Sequence, residues 1–417
     1  GGDDARRRYR RRLEDERRAR EGGRSMFQTF AKDGTIEEEE EALPAILGLV
    51  STVFDPFMGP YVDLETQALG EELRRAALGE AVGDGSGAGR LPVFTSSTSI
   101  FGYMKGSLKR CTALTTGQTL LGLAAEFNKV LAEYAMVLKD KLPAQQTLRD
   151  GTTLYKIPDG EEQKICYIVN TAEYCAETLP QLAEMIRSRI DEPYKDSIST
   201  EQEQEYFFEV VAQAVRVLVA GLCTRFDPAY KSMSKTNWGN LEMVGEESEY
   251  VVLINETIAK YVPIMKKNLS ALYFRSFCDK FAAAFITGYL NQVLRLGRVN
   301  EQGTQQLLLD LYNLKSLMLG LHNIGAEEGT DRAPTPTPLS YTKFATRQLG
   351  RVEALVKLAG TPAELLSERF RLLLPDGAAR ELLAIMSLKG IRKNDQQIIF
   401  DTLGFGSVEE AEAAARE

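Results

Sequence analysis

The chain has 417 residues, of which 44% are hydrophobic and 26% are charged, and its formal net charge is −9. These values are typical of soluble globular proteins, so they exclude a mainly disordered chain, a collagen-like fibre and a membrane channel, and the negative charge argues against nucleic acid as a partner. Because one hydrophobic core rarely serves so many residues, we expect two or three domains in series.

Histidine and cysteine, which build most catalytic and metal sites, offer little here. The chain has one histidine, His322, and five scattered cysteines, none of them in a C-x-x-C pair. We therefore predict a protein of the reducing cytosol that is not an enzyme and holds no cofactor or metal. His322 follows an apolar helical pattern that ends at Leu321, where a histidine commonly interacts with the helix dipole. No continuous apolar run approaches the ~20 residues that cross a bilayer.

Residues 1–42 are polar and are predicted to form a charged linker or arm. Residues 1–24 contain ten arginines against six acidic residues. The arginines could contact phosphate or anionic lipid, but the mixed signs along this segment favour a solvated arm.

Residues 43–150 are predicted to form the first helical bundle, with a glycine-rich insertion at 83–90. After Thr119, apolar side chains recur every three or four residues over about six turns, which indicates a long amphipathic helix. The insertion, Gly83–Gly89, lacks the Gly-Lys-Ser/Thr ending of a phosphate-binding loop, so we predict a flexible loop there.

A second helical bundle is predicted at 158–324, after a polar connection at 144–162. A stripe of leucine and methionine over Leu307–Leu321 indicates one of its helices. Alternating patterns typical of strands are limited to Thr152–Ile157 and Ile165–Asn170.

Residues 325–338 contain alternating threonine and proline and are predicted to be an interdomain linker, because proline removes a backbone donor and disfavours helix in the residue before it. A carboxy-terminal bundle is predicted at 339–417. Within it, Thr361–Glu364 has the hydroxyl cap, the proline and the glutamate of a helix start. Val408–Glu417 is predicted to form a final helix.

Long amphipathic helices joined by short connections pack antiparallel. We therefore predict an all-α fold of tandem antiparallel helical bundles stacked into an elongated rod. No repeat of about 34 or 40 residues is present, so a TPR or HEAT solenoid has no support.

Because catalytic patterns are weak, surface recognition is the expected activity. Basic residues in the last bundle recur at positions that share a helix face, and a solvated face is their simpler interpretation. Trp238 lies in a polar segment, where it is either a loop anchor or an interface hot spot. These residues form the candidate surface for an acidic partner or an anionic membrane: Lys343, Arg347, Arg351, Lys389, Arg392, Lys393 and Trp238.

Several short segments resemble, in the same order, the carboxy-terminal half of the family of fifty-three subunits of the Golgi-associated retrograde protein (GARP) tethering complex. The resemblance extends from about Ile46 to Leu403. The segments that carry it are Tyr167–Cys175 with Leu179–Leu182, Asp227–Lys235 with Trp238, Gln305–Asp310, Ser340–Lys343 and Leu388–Lys393.

This resemblance implies a non-enzymatic subunit of a multisubunit tether in the helical-rod class that includes exocyst subunits. Such a subunit captures endosome-derived vesicles at the trans-Golgi network during retrograde transport, and a related complex serves endosomal recycling. The implied partners are the sister subunits, small GTPases and SNAREs, with peripheral contact to the vesicle membrane. The implied location is cytosolic, peripheral on trans-Golgi network and endosome membranes.

The long amino-terminal helical region through which members of this family assemble has no counterpart here, so we expect the chain to be a fragment. Two other interpretations stay open. A stand-alone helical adaptor or scaffold would co-purify with unrelated partners. A carboxylate-based enzyme would need a concave pocket that holds an Asp or Glu with a strongly shifted pKa.

Overall fold

The structure, a computed structural model, describes residues 51–78, 81–83, 91–147, 153–325 and 337–414. Three predicted features therefore lie wholly or largely outside the described residues. They are the arm at 1–42, the glycine insertion at 83–90 and the linker at 325–338.

Helices make up most of the described chain. The first five are α1 (Gly59–Leu78), α2 (Thr95–Thr112), α3 (Gln118–Asp140), α4 (Glu161–Arg187) and α5 (Glu201–Thr224). They are followed by α6 (Asp227–Lys235), α7 (Glu249–Asn268), α8 (Ala271–Leu294), α9 (Glu301–Leu319) and α10 (Leu339–Gly360). The last four are α11 (Leu366–Leu373), α12 (Ala379–Lys389), α13 (Lys393–Leu403) and α14 (Val408–Ala414).

Short 3-10 turns and two small ribbons complete the described secondary structure. The turns are Ser51–Phe57, Glu192–Ser197, Trp238–Asn240, Leu321–Asn323 and Ala363–Leu365. One ribbon pairs β1 (Val82–Gly83) with β2 (Val93–Phe94), and the other pairs β3 (Gln146–Thr147) with β4 (Thr153–Leu154) in antiparallel register.

The chain divides into two compact units. The described residues of unit 1 lie within 51–83, 94–137 and 174–206, and those of unit 2 lie within 84–93, 138–173 and 207–414. The predicted bundles at 43–150, 158–324 and 339–417 stay a prediction.

Unit 1 contains a buried ion pair between α1 and α2. Arg110 donates hydrogen bonds of 2.8 and 2.6 Å to the carboxylate of Glu65, and the hydroxyl of Tyr103 donates a third of 2.8 Å. Glu65 is only 5% exposed. Burial alone raises the pKa of Glu65, but the hydrogen bonds from Arg110 and Tyr103 lower it below its usual value. The carboxylate therefore stays ionised and fixes α1 against α2.

In unit 2, helix α8 carries a ladder of buried aromatic side chains at every fourth position. The ring centroids of Phe277 and Phe281 are 5.8 Å apart, those of Phe281 and Phe285 are 5.9 Å apart, and those of Phe285 and Tyr289 are 6.3 Å apart. All four side chains are buried. Because large rings bury the most apolar area per residue, this ladder is a major part of the core. Helices α7, α10 and α12 all pack against α8.

Helices α9 and α10 are antiparallel neighbours. The hydroxyl of Tyr341, at the start of α10, donates a 2.6 Å hydrogen bond to the carbonyl of Met318 at the end of α9. At the other end of the pair, Gly360 lies against Thr304, so closely that a Cβ at Gly360 would be 2.8 Å from the Thr304 methyl group. The antiparallel packing predicted for helices joined in sequence is therefore present here.

Most elements agree with the sequence predictions, and the differences concern the end of one helix, one strand candidate and one helix start. The helices expected after Thr119 and over Leu307–Leu321 are α3 and α9, although Leu321 lies in a 3-10 turn. Ile165–Asn170 was wrongly given as a strand candidate, because it lies inside α4 and buries Ile165, Ile168 and Val169 at helical spacing. At the predicted start Thr361–Glu364, Thr361 instead caps the end of α10, the 3-10 turn covers Ala363–Leu365, and α11 follows from Leu366.

One helical region of the described chain, Glu192–Asn240, is long and apolar enough to cross a membrane by length and composition alone, because it contains an 18-residue window with a mean hydropathy of 1.6. Of its most apolar window, 56% is buried within the fold. A core helix of a soluble protein passes the same test, so this is weak evidence for a membrane span. Within this region, α5 buries Val211, Leu218 and Leu222 in unit 2.

His322 lies between two aromatic rings of unit 2. Its ring is edge-on to Phe274, at 6.3 Å between centroids, and to Tyr341, at 4.5 Å. Neither ring nitrogen has a hydrogen-bond partner among the described residues. The interaction with a helix dipole that the sequence suggested is therefore wrong, because the imidazole packs as an aromatic ring. Burial lowers the pKa of His322; Arg275 and Lys266 lower it further, whereas Asp279 raises it.

We expect His322 to make the stability of the chain depend on pH. Since the pKa is lowered in the folded state, the unfolded state binds the proton first as pH falls below about 6.5. The stabilisation that comes from the neutral imidazole should be fully present above that pH. The free energy of unfolding should then fall by up to about 1 kcal/mol between pH 7.5 and 5.5. His322→Phe keeps the ring and removes the titration, so thermal melts of this variant should lack that fall. Parallel pH curves for the two proteins would contradict the prediction.

The backbone around Trp238 requires a glycine at position 303. A Cβ at Gly303 would lie 2.5 Å from the carbonyl oxygen of Trp238. Because that oxygen belongs to the backbone, the clash could be relieved only if the backbone of one segment shifted. Gly350, in the middle of α10, has nothing within 4 Å of the same position.

Gly303→Ala and Gly350→Ala therefore form a matched pair of helical glycine substitutions. We expect Gly303→Ala to reduce the free energy of unfolding by about 1–3 kcal/mol, because the close packing must open. Gly350→Ala should raise it by up to about 1 kcal/mol, since alanine favours helix and meets no neighbour. Urea unfolding measures both values, and a stabilising effect at position 303 would show that the close contact is absent.

Candidate partner-binding surface of the carboxy-terminal helices

The basic residues predicted for this surface lie mainly on α10 and around α12. Arg351, in the middle of α10, contacts Glu381 at the start of α12, and Lys389, at the end of α12, contacts the end of α10. The two helices therefore run parallel. This arrangement decides which of the basic side chains are used inside the fold and which face outwards.

Arg351 is used inside the fold. It donates hydrogen bonds of 3.0 and 2.7 Å to the two carboxylate oxygens of Glu381, and two more of 3.0 Å to Asp376. Glu381 is only 5% exposed, and its carboxylate also accepts a hydrogen bond from the backbone N–H of Ala378 at the start of α12. Arg351 thus fixes α12 on α10, and its charge is neutralised.

Lys389 is also used inside the fold. Its ammonium group donates to the carbonyl oxygens of Ala359, at 3.1 Å, and of Thr361. These carbonyls lie at the carboxyl end of α10, where helical hydrogen bonds run out and a cation is favoured by the helix dipole. Burial lowers the pKa of Lys389. The side chain is therefore a helix cap, and it contributes little to an outer surface.

The remaining four basic residues are exposed but form two separate groups. Arg392 and Lys393 follow α12, beyond the end of α10. Lys343 and Arg347 lie in the first half of α10. At a rise of about 1.5 Å per residue, Arg347 is about 20 Å along the helix axis from Gly360, the last residue of α10. The predicted basic face is therefore interrupted by Arg351 and Lys389.

Trp238 does not belong to an exposed surface. It is 3% exposed, its indole N–H donates a 2.8 Å hydrogen bond to the carbonyl of Met233, and its ring lies edge-on to Tyr250. Of the two roles that the sequence left open, the structure shows the loop anchor. Burial of this side chain removes it from any surface that a partner could reach.

Sequence reasoning did not find the residues that lie beside Lys343. Arg275, in the first turns of α8, donates a 3.3 Å hydrogen bond to the hydroxyl of Ser340 at the start of α10. At the far end, Leu290 of α8 packs on the cluster around Leu355 and Leu358 of α10, so α8 and α10 run parallel. No local pattern links residues more than sixty positions apart. The sequence held one local signal for this surface. The first turns of α8 and α10 each contain a leucine and no acidic residue.

The aligned helix starts bring together large apolar and basic side chains, which we term the α8–α10 surface. Leu272 is 66% exposed, Leu339 is 69% exposed and Phe344 is 37% exposed. Neither Lys343 nor Arg347 has an ion-pair partner among the residues that the structure describes. The α8–α10 surface consists of Leu272, Arg275, Leu339, Lys343, Phe344 and Arg347.

A depression elsewhere in unit 2 is lined mainly by residues of α4 and α7, including Glu162 and Lys267. Glu162 is buried and pairs with Arg225, which also binds Asp159 at the surface. The pKa of Asp159 is lowered, chiefly by the hydrogen bond from Lys260. These carboxylates act as partners of cations, which is the chemistry of a structural ion-pair network.

The structure predicts effects of very different size on stability for two arginines one turn apart on α10. Arg351→Ala leaves the buried Glu381 carboxylate without its cation and should reduce the free energy of unfolding by about 3 kcal/mol. Arg347→Ala removes an exposed, unpaired charge and should change it by less than about 0.5 kcal/mol. Chemical unfolding of both variants measures the difference, and equal values would show that Arg351 is not a structural residue.

Two family models match the chain. Residues 93–334, which are more than half of the chain, match the family model described as "Exocyst complex component Sec6". A second family model, "Vacuolar protein sorting-associated protein 53 C-terminus", matches residues 305–391.

Curated relatives match most of the chain. It is 37% identical to vacuolar protein sorting-associated protein 53 A of Arabidopsis thaliana, over 88% of this chain and 44% of that protein. It is 24% identical to the vacuolar protein sorting-associated protein 53 homolog of Caenorhabditis elegans, over 84% of this chain and 46% of that protein. The chain thus spans about half the length of the curated relatives that it matches.

Two solved structures share the fold. The carboxy-terminal domain of the exocyst subunit Sec6p superposes with a TM-score of 0.64, over 88% of this chain and 92% of that one. M-Sec superposes with a TM-score of 0.50, over 85% of this chain and 55% of that one. Each is 13% identical to this chain, so the likeness concerns the fold alone. The predicted all-α class of helical bundles is confirmed.

Proposed function

Because this chain belongs to the family of exocyst complex component Sec6 and to that of vacuolar protein sorting-associated protein 53, we propose that it works in a multisubunit vesicle tether. The observation that carries this proposal is the 37% identity to a member of that family over 88% of the chain. The proposed complex is GARP, and the chain corresponds to the carboxy-terminal part of its fifty-three subunit.

The proposed activity is the capture of endosome-derived vesicles at the trans-Golgi network during retrograde transport, with a second role in endosomal recycling. The subunit acts without catalysis, through its sister subunits, small GTPases and SNAREs. It is cytosolic and peripheral on trans-Golgi network and endosome membranes.

Features of the fold support a role in recognition. The carboxylates with a resolved pKa shift in the described residues, Glu65, Asp159 and Glu353, all have a lowered pKa and bind cations. A general acid at neutral pH needs the opposite shift. By contrast, apolar and basic side chains are exposed together on the α8–α10 surface, which is the composition of an interaction site.

Relocation in cells tests the capture of vesicles. The chain is fused to a mitochondrial outer-membrane anchor, and microscopy then shows whether endosome-derived carriers collect on mitochondria. We expect carriers on mitochondria that carry the fusion and none on mitochondria that carry the anchor alone. A folded fusion that collects no carriers would contradict capture by this part of the subunit.

Co-purification tests the assembly. The full-length protein that contains this chain should bring down the sister subunits of the tether in stoichiometric amounts. A consistent set of unrelated partners would instead favour the second interpretation, a stand-alone helical adaptor or scaffold.

A further inference from the structure

The starts of α8 and α10 expose apolar side chains at two neighbouring helix ends. Arg275 contacts Ser340 at 3.3 Å, and Leu272 and Leu339 each lie within one turn of that contact. Both leucines are about two-thirds exposed, and Phe344 follows Leu339 by little more than one turn. Large apolar side chains on a soluble surface are usually scattered singly, so their grouping here indicates a contact site.

The charge around these leucines is positive. Arg275, Lys343 and Arg347 lie on the two helices, and Lys267 lies at the end of α7, one short turn before α8. The first turns of α8 and α10 contain no acidic residue. Since the start of a helix carries a partial positive charge that acidic residues usually complement, both helix ends add to the attraction for anions.

Acidic groups near this surface do not cancel its charge. Asp279 lies one turn after Arg275, and it is the one acidic residue in the first ten residues of α8. Glu161 and Glu162, at the start of α4, pair with Lys164 and Arg225. The described side chains thus leave an excess of cations beside Leu272 and Leu339.

The exposure of Leu272 and Leu339 favours a membrane over a peptide as the binding partner of this basic surface. A peptide groove encloses the apolar side chains that line it, whereas these two protrude at helix ends with most of their surface in solvent. Protruding apolar side chains ringed by lysine and arginine are typical of surfaces that insert into the headgroup region of an anionic bilayer.

We propose that the α8–α10 surface binds the anionic lipid headgroups of a membrane, with Leu272 and Leu339 inserted and Arg275, Lys343 and Arg347 on the phosphates. This inference rests on the proposed function and adds to it a direct contact between this half of the subunit and lipid. A few charges and two leucines bind weakly, so the contact becomes effective when the complex holds the chain near a vesicle.

Vesicle co-sedimentation of the whole chain tests this contact. The probes are vesicles of phosphatidylcholine mixed with phosphatidylserine, and pure phosphatidylcholine vesicles as the neutral reference. Wild-type chain should sediment with the mixed vesicles and much less with the neutral ones, and added salt should weaken that binding.

Three pairs of substitutions locate the contact. Lys343→Glu with Arg347→Glu should weaken binding about tenfold or more, and Leu272→Ser with Leu339→Ser should weaken it even at low salt. Arg392→Glu with Lys393→Glu makes the same change of charge at the other end of the bundle and should leave affinity within about twofold. The circular dichroism spectrum and the melting temperature of each variant must match those of the wild type. We expect this match because all six substituted positions are exposed.

The inference is overturned if the wild type binds both kinds of vesicle equally, or if the pair at 392 and 393 weakens binding as much as the pair at 343 and 347. It is also overturned if lipid binding is absent while the pair at 343 and 347 abolishes carrier capture on mitochondria, because the partner is then a protein. Intact lipid binding with no capture of carriers would contradict the proposed tether and leave the lipid site standing.

Discussion

The second unit depends on one constraint, which is that α8 must bury its aromatic ladder. Rings at Phe277, Phe281, Phe285 and Tyr289 follow one another at helical spacing and need apolar partners from more than one direction. Helices α7, α10 and α12 supply those partners. Since α9 runs back between α8 and α10 in the chain, α8 and α10 are parallel, and their first turns lie side by side. The grouping of exposed leucines and cations follows from that alignment.

Identical side chains have different roles in this structure because their surroundings differ. Arg347 and Arg351 are one turn apart on α10, yet only Arg351 meets the buried carboxylate at the start of α12. Lys389 is also drawn into the fold, because the end of α10 presents carbonyl groups that bind its ammonium group. Such internal cations join helices, whereas an exposed cation without a described partner, such as Arg347, is available to a binding partner. A basic stripe in a sequence therefore overstates the basic surface of the folded chain.

The helices of this fold present long faces, and the proposed role in a multisubunit tether requires such faces for recognition. A lipid contact at the start of α8 and α10 would orient this part of the subunit on a vesicle surface. Each charge near a membrane contributes only about 1 kcal/mol, so such a contact depends on the rest of the complex to hold the chain in place.

The sequence alone was sufficient for the all-α class, for helices such as α3 and α9, and for the family resemblance, because helical periodicity and short collinear segments are local properties. The scarcity of histidine in the sequence also lowered the expectation of most catalytic and metal sites, and that expectation stays a prediction. Sequence reasoning failed at Ile165–Asn170, where β-branched residues indicated a strand but tertiary packing buries them on one face of α4.

Only the tertiary structure decided which candidate residues form a surface. Burial of Trp238, the pairing of Arg351 with Glu381 and the capping of α10 by Lys389 all depend on helices that are distant in sequence or follow a turn. The same is true of Arg275, which lies beside Ser340 because two helices pack in parallel. Exposure and charge pairing are properties of neighbours in space, and periodicity along one helix carries no information on which helix will lie beside it.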